Sequence, residues 1–181
     1  MRVGAVTHFT IRRLGTGDAE ALFQLRREAL RDSPLAFLAS PEDDLAASAQ
    51  AVTQLLERAG SAVLGAFSAG LCGMLGLHRG QHLKAAHKVN LWGLFVRSSC
   101  RAQGAGQQLL AAALAHARTL EGARSVHVSV SGAAPAARRL YERAGFSLWG
   151  SEPEALQFEG RFASEHHLRL ALPACDEAPP S

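Results

Sequence analysis

The amino-acid sequence predicts one α+β (α/β) domain with a mixed sheet. Short β-branched and apolar runs alternate with segments whose apolar residues recur at helical spacing. The predicted order is a strand, two helices, three strands, a helix, a strand, a helix and a final β-hairpin. With 181 residues, 48% of them hydrophobic, the chain is long enough for one core and short for two. We expect the domain to span residues 1–172 and the polar, proline-rich tail, residues 173–181, to be disordered.

The first predicted elements are a strand over residues 3–14 and an amphipathic helix that ends near residue 31. Thr16 or Asp18 is placed to cap this helix, because both side chains accept hydrogen bonds from unpaired N–H groups. The apolar residues of the helix predict a buried stripe, with its arginines facing solvent. These arginines are Arg26, Arg27 and Arg31.

The segment over residues 32–44 carries two prolines and is predicted to be a loop. Its centre, residues 36–39, reads Ala-Phe-Leu-Ala, which is apolar for a linker. This centre either closes over a ligand or packs its own small cluster. A second helix is predicted over residues 45–59, with Asp43 or Asp44 as its cap.

Strands are predicted over residues 62–68, 71–77 and 88–97, and the Ala69-Gly70 dipeptide between the first two is typical of a hairpin. The turn that follows them, over residues 101–106, reads Arg-Ala-Gln-Gly-Ala-Gly and leads into a helix. Glycine lets a backbone approach a ligand closely. The first turn of a helix offers unpaired N–H groups and the positive end of the helix dipole. We therefore expect this glycine turn to hold the pyrophosphate of a cofactor.

The last predicted elements are a strand over residues 125–130, a short helix over residues 135–144 and a β-hairpin. Proline at position 135 suits the first turn of the helix, and Gly145 suits the position just after its end. The Glu159-Gly160 dipeptide lies between the two hairpin strands.

Composition excludes several classes of function. The net charge of +3 comes without a Lys/Arg run, so no nucleic-acid partner is predicted. Nothing approaches the roughly 18 apolar residues of a membrane span, and no signal-peptide core is evident. Three cysteines fit no disulfide framework, so we expect a cytoplasmic protein. No metal site is predicted, since the adjacent His166 and His167 point to opposite faces of a strand.

Two motifs resemble those of the GNAT superfamily of N-acetyltransferases. R-A-Q-G-A-G at residues 101–106 matches the family pattern [R/Q]-x-x-G-x-[G/A], and A-R-R-L-Y-E-R-A-G-F at residues 137–146 matches a second signature. W-G-L-F-V at residues 92–96 and G-R-F at residues 160–162 are similar to one bacterial-type branch. The resemblance covers nearly the whole chain. It implies a mixed, mostly antiparallel central sheet, flanked by helices and splayed at the strand before the glycine turn.

The resemblance also implies direct acetyl transfer from acetyl-CoA to a primary amine, on a small molecule or a protein, within a ternary complex. Tyr141, the only tyrosine of the chain, would protonate the leaving thiolate. Its alternative role is packing between helix and sheet. Backbone groups of the last strand residues would pair with the pantetheine arm, and those of the glycine turn with the pyrophosphate. The implied cofactor-binding residues are Leu94, Phe95, Val96, Arg101, Ala102, Gln103, Gly104, Ala105, Gly106 and Gln107.

The chain departs from the family pattern at Ala134, where family members usually have an asparagine that contacts the pantetheine arm and caps the helix. Ser131 is a candidate replacement for the cap. This departure keeps a second interpretation open, in which the protein binds acetyl-CoA as a non-catalytic sensor or interaction module.

The general base also stays open after the comparison of motifs. The candidates are the side chains of His78, His87, His127 and Glu165, a water chain, and an acceptor amine that is already partly neutral and needs no base. The sequence names neither the amine acceptor nor the oligomeric state, and a homodimer is left open.

Overall fold

The computed structural model describes residues 9–173, which form a seven-stranded sheet flanked by helices. The predicted order of elements is confirmed. The part of the first predicted strand before Phe9, and the predicted tail after Pro173, lie outside the described residues. The strands are β1 (Thr10–Arg13), β2 (Ser61–Phe67), β3 (Leu71–Arg79), β4 (Lys88–Val96), β5 (Ser125–Ser131), β6 (Ser147–Phe158) and β7 (Arg161–Ala171). The α-helices are α1 (Ala19–Asp32), α2 (Ala49–Glu57), α3 (Ala105–Thr119) and α4 (Pro135–Arg143).

The strands lie in the order β1-β2-β3-β4-β5-β7-β6, and β4 and β5 form the one parallel pair within residues 9–173. The prediction of a mixed, mostly antiparallel sheet is therefore confirmed. Helices α3 and α4 pack against one face, and helices α1 and α2 pack against the other. No helix in this part of the chain is long and apolar enough to cross a membrane.

Strands β4 and β5 separate halfway along their length, as the resemblance implied. Their pairing ends where Leu91 meets Val128, although β5 continues to Ser131 and pairs with β7 throughout. In β4 the pairing with β3 shifts between Met74 and Gly76, and Gly93 takes a positive φ of 67°. Such a bulge bends a strand, so β4 turns away from β5 and a gap opens beside residues 92–96.

Helix α1 differs from its prediction at its start and on one face. Asp18 makes no side-chain capping bond to α1, because its carboxylate accepts from the Gly15 N–H (2.9 Å) and from Arg12 (2.7 Å). Arg26, which was predicted to face solvent, is only 7% exposed because it pairs with Asp44 across the loop.

Helix α2 begins at Ala49 rather than at residue 45, and neither predicted aspartate caps it. The cap is Ser48, whose Oγ accepts a hydrogen bond from the Ala51 N–H at 3.1 Å. Asp43 instead accepts from the Ser40 N–H at 2.6 Å, within the preceding loop. Both aspartates thus order the loop that leads into the helix.

The predicted turns near the C-terminus are confirmed. Gly145 ends α4 with a φ of 93°, and the Phe146 N–H folds back onto the Tyr141 carbonyl at 3.1 Å. Glu159 and Gly160 both take positive φ, 48° and 75°, and connect β6 to β7. These turns fix where α4 and β7 approach the gap.

Candidate active site

A cavity of about 960 Å³ opens at the gap between β4 and β5. Residues 90–94 of β4 and 127–130 of β5 line its two sides. Helix α4 contributes Tyr141, and β7 contributes Glu165 and His167. The separation of two parallel strands thus creates a cleft that connects both faces of the sheet.

The glycine turn lies just beyond the open end of β4. Gly104 takes a φ of 90° as the N-cap of α3, and Ala102 takes a φ of 59°. The first hydrogen bond of the helix runs from the Gln108 N–H to the Gly104 carbonyl at 3.0 Å. The N–H groups of residues 105–107 come before it and therefore have no carbonyl partner within the helix. These groups and the helix dipole favour an anion at this turn.

The predicted cofactor-binding residues do not all meet in the cavity. Leu94 lines the cavity, whereas residues 101–107 do not, among the described residues. Phe95 is 5% exposed and packs in the core beneath α1. The Arg101 guanidinium pairs with Asp32 at 2.6 Å and donates from Nε to the Val96 carbonyl at 2.8 Å. Arg101 is thus already engaged at the strand edge.

Tyr141 is buried at the α4 side of the cavity, where it is 2% exposed. Its ring packs edge to face against Phe146, with 5.4 Å between centroids and 67° between planes. Burial raises the pKa of the phenol well above its ordinary value of 10.0. The hydroxyl therefore stays protonated at neutral pH, as a proton donor must.

The N-terminus of α4 lacks a side-chain cap. Ala134 is the N-cap residue, lines the cavity and offers no side-chain acceptor. Ser131 does not replace the cap, because its Oγ accepts from the Ala133 N–H (3.1 Å) and its carbonyl accepts from the Ala134 N–H (2.9 Å). Ser131 therefore holds the turn before the helix and leaves the helix N-terminus open towards the cavity.

The candidate bases divide by position. His78, His127 and Glu165 line the cavity, and His87 is not among the described residues that do. Burial lowers the pKa of His78, and the positive charge of Arg58 adds to this effect. Burial also lowers the pKa of His127, with smaller effects from Lys88, Arg169 and His87. Both imidazoles are therefore neutral at pH 7.

Sequence reasoning missed a buried ion pair in the cavity wall. Arg26 donates from Nε and Nη2 to the two oxygens of Asp44, both at 3.0 Å, and each side chain is 8% exposed. The guanidinium carbon lies 5.1 Å from the Phe37 ring centroid and 5.9 Å from that of Trp92. A signal was available, because Arg26 follows Leu22 by one helical turn and so belongs to the apolar stripe.

Sequence reasoning also missed the role of His167 in the cavity wall. Its Nδ1 lies 2.9 Å from Ser129 Oγ, and its ring stacks on Trp149 at 5.4 Å. A ring nitrogen of His167 and one carboxylate oxygen each of Glu152 and Glu165 lie within 4.8 Å of one another. Only the pairing of β5 with β7 and of β7 with β6 brings these residues together, so no local pattern could have revealed them.

Known structures share this fold. A ribosomal-protein-alanine N-acetyltransferase from Brucella melitensis is 23% identical over 90% of this chain and 99% of its own, with a TM-score of 0.78. A phosphinothricin acetyltransferase from Sinorhizobium meliloti, in complex with acetyl-CoA, is 18% identical over 97% and 94%, with a TM-score of 0.79. The protein yncA from Salmonella typhimurium, solved with its cofactor acetyl-CoA, is 20% identical over 97% and 99%, with a TM-score of 0.75.

No curated protein sequence matches the chain. The model of the acetyltransferase (GNAT) family, however, matches residues 19–146, from the start of α1 through both sequence motifs to the end of α4 and the Phe146 that follows it. This match covers most of the chain and includes the strand, the glycine turn and the helix that surround the gap. Together with the shared fold, it shows that the chain belongs to the acetyltransferase (GNAT) family.

Proposed function

We propose that the protein transfers the acetyl group of acetyl-CoA to a primary amine, on a small molecule or a protein, directly within a ternary complex. The observation that carries this proposal is the cavity at the β4–β5 gap, which reaches Tyr141 and is lined by Leu94 of β4, the strand that leads into the glycine turn. A long, thin cofactor needs such a cleft, with an anion site at one end and a proton donor at the other. The acetyl-CoA in two structures of the same fold supports this choice of cofactor.

The cofactor would lie along the free edge of β4. The other edge pairs with β3, where Phe95 meets Met74 and Val96 meets Gly73. Backbone groups on the gap side of residues 94–96 are placed to pair with the amides of a pantetheine arm, as an added strand would. The N–H groups of residues 102–107 would then hold the pyrophosphate, since the Arg101 N–H already donates to the Ser98 carbonyl.

Two kinds of group would promote the reaction. Backbone N–H groups of β4 near the bulge would polarise the thioester carbonyl. Tyr141 would donate its proton to the sulfur as the C–S bond breaks, so that a thiol leaves rather than a thiolate. The amine would enter from the α1 and α2 face, where Asp43 and Glu165 line the cavity and Asp44 is already paired with Arg26.

A second function is favoured by one observation, the uncapped start of α4 at Ala134. A protein that binds acetyl-CoA loosely and does not turn it over would act as a sensor or interaction module. The buried, protonated Tyr141 favours catalysis, because a sensor does not require a proton donor at the thioester.

The test combines binding with turnover. Thermal unfolding is measured with acetyl-CoA and with CoA, and thiol release is then followed against a panel of primary amines. A ligand at about 100 times its Kd stabilises the folded state by about 2.7 kcal/mol, so binding gives a clear rise in Tm. We expect a rise with both ligands and thiol release that depends on the amine.

The two functions give different results. Stabilisation by acetyl-CoA without thiol release, on a panel that spans polyamines, amino acids and peptide N-termini, would favour the sensor. The absence of stabilisation by either ligand would contradict both functions.

A further inference from the structure

The groups around His167 form a polar cluster on the wall of the cavity. Strand β7 places His167 opposite Ser129 of β5 and Gly150 of β6. Ser129 follows Val128, the last residue of β5 that pairs with β4, so His167 stands where the gap begins. The half-buried imidazole lines the same cavity as Tyr141 and Leu94.

The imidazole is held in one orientation by two contacts. Ser129 Oγ lies 2.9 Å from Nδ1, and the Trp149 ring stacks on the imidazole with 28° between planes. If Nδ1–H donates to Ser129 Oγ, the lone pair of Nε2 is free to accept a proton. A fixed tautomer with a free lone pair is what a general base requires.

Charged neighbours surround this imidazole on each element that packs against it. Glu165 on β7 and Glu152 on β6 have carboxylate oxygens within 4.8 Å of a His167 ring nitrogen. The next pair of residues on the same face of the sheet is His127 of β5 and Arg169 of β7. The two carboxylates place negative charge beside the imidazole, which gains a positive charge when it accepts a proton.

We propose that His167 is the general base of the reaction, with Ser129 as its positioning residue. This inference rests on the proposed acetyltransferase function. His167 takes one proton from the ammonium group of the acceptor, directly or through one water, which frees the nitrogen lone pair. As that nitrogen bonds to the acetyl carbon and the C–S bond breaks, one proton passes from Tyr141 to sulfur. The amide nitrogen gives its extra proton to the Tyr141 phenolate through water, and the imidazolium releases its proton to solvent, so the protein returns to its starting state.

The neighbouring His166 provides a matched control. His166 precedes His167 in β7, and it is not among the described residues that line the cavity. Its Nδ1 lies 2.9 Å from Ser151 Oγ. His166→Gln and His167→Gln make the same chemical change one residue apart, on opposite faces of one strand. Only the second removes a base from the cavity.

The test is the pH dependence of kcat and kcat/KM for wild type, His167→Gln, His166→Gln and Ser129→Ala, on an amine that the wild type acetylates. We expect His167→Gln to lower kcat about 100-fold near pH 7. The loss should shrink at high pH, where the amine is already neutral, while the Tm rise with acetyl-CoA stays unchanged. Ser129→Ala should lower kcat less and move the acidic limb of the profile, and His166→Gln should match wild type.

The proposal is overturned if His167→Gln keeps kcat within about threefold of wild type, or if His166→Gln loses as much activity. It is also overturned if a chelator abolishes wild-type activity and added metal restores it, since the cluster then binds a metal ion. Should His167→Gln fail to fold, the pH profile of Ser129→Ala decides: a moved acidic limb supports the proposal, and an unmoved one overturns it. A wild type without thiol release on any amine contradicts the proposed function instead, before any variant is compared.

Discussion

Tyr141 combines two properties that the proposed chemistry requires, a position on the cavity wall and a phenol that stays protonated. Replacing it with phenylalanine keeps the ring and its packing against Phe146. We therefore predict that Tyr141→Phe lowers kcat about 100-fold, because proton donation to the thiolate is lost. Its Kd for acetyl-CoA, measured by calorimetry, should stay near that of wild type. An unchanged kcat on a verified amine would leave packing as the role of Tyr141.

The protonation of Tyr141 is itself measurable, because the chain has a single tyrosine. Burial raises its pKa above the ordinary value of 10.0, so the folded protein should show no phenolate absorbance at pH 10. The unfolded protein should be half ionised at that pH. A half-ionised tyrosine in the folded protein, verified as folded by circular dichroism, would mean that the phenol is open to solvent.

The same shift in pKa makes stability depend on pH in a known direction. Above pH 10 the unfolded chain loses the tyrosine proton while the folded chain keeps it, so the unfolded state binds fewer protons. Stability from this group is complete below pH 10 and falls by about 1.4 kcal/mol per pH unit above it. Tyr141→Phe should unfold in denaturant with a weaker dependence on pH in this range than wild type.

Asp44 neutralises a guanidinium that is otherwise enclosed by apolar groups. In Asp44→Asn the Arg26 charge stays buried without a counter-charge, and such a loss typically costs about 3–5 kcal/mol. We predict a loss of this size in the free energy of unfolding, measured by urea denaturation. The control is Glu142→Gln, which breaks the exposed pair with Arg138. Its expected cost is about 0.3–0.5 kcal/mol, and equal costs for the two variants would contradict the prediction.

At the scale of a single element, the start of α4 is the place where an added capping side chain should stabilise the protein. Ala134 occupies the N-cap and offers no acceptor to the first N–H groups. Ala134→Asn should raise the free energy of unfolding by about 1 kcal/mol, since asparagine is among the best N-cap residues. By family resemblance, it should also tighten acetyl-CoA binding.

The neighbouring residue supplies the control for this change. Ala133 is exposed and precedes the cap, so Ala133→Asn adds the same side chain without reaching the helix N–H groups. Thermal unfolding and the Kd for acetyl-CoA should stay at wild-type values in this variant. If Ala134→Asn is no more stable than Ala133→Asn, Ser131 and the turn already satisfy the start of the helix.

Strand β4 shows how a glycine shapes the site at the scale of an element. Gly93 adopts a φ of 67° within the bulge, a conformation that other residues rarely take. A Cβ at this position would lie 3.4 Å from Arg26 Nη1, which has no hydrogen-bond partner within residues 9–173. The bulge and the buried arginine therefore fit against each other, and together they fix the edge of the gap.

At the scale of the whole molecule, the sequence predicted what depends on local spacing. The order of all elements and the hairpin turn at Glu159-Gly160 follow from period, capping and turn residues, and the structure confirms them. The prediction that Arg26 faces solvent is wrong, because the residue lies on the apolar stripe of α1 and its charge is neutralised there. Its partner Asp44 is distant in the sequence, and no local pattern predicts a buried pair of this kind.

The candidate site divides in the same way. The glycine turn and the Tyr141 motif are each contiguous in sequence, so the sequence alone predicts them. The wall formed by His167, Ser129 and Glu152 depends on how β5, β6 and β7 pair, since a one-residue slip would send each side chain to the other face. Such register is a property of the assembled sheet, so the sequence alone does not place His167 in the cavity wall.

The sheet as a whole predicts where acetyl-CoA should protect backbone amides from hydrogen exchange. The N–H groups of residues 105–107 precede the helical ladder of α3, and β4 beyond Leu91 pairs with β3 alone. A pantetheine arm and a pyrophosphate bound there would occupy the free groups. We therefore expect slower exchange over residues 93–96 and 102–107 when acetyl-CoA is added, measured by mass spectrometry of peptides.

Strand β1 provides the internal control for this measurement. It lies at the edge of the sheet, three strands from β4, so the exchange of residues 10–13 should not change. CoA should protect residues 102–107 as well as acetyl-CoA does, because both ligands carry the pyrophosphate, while the acetyl group adds protection only near the bulge at Gly93. Protection confined to β6 and β7 would place the cofactor elsewhere on the sheet and remove the gap as its binding site.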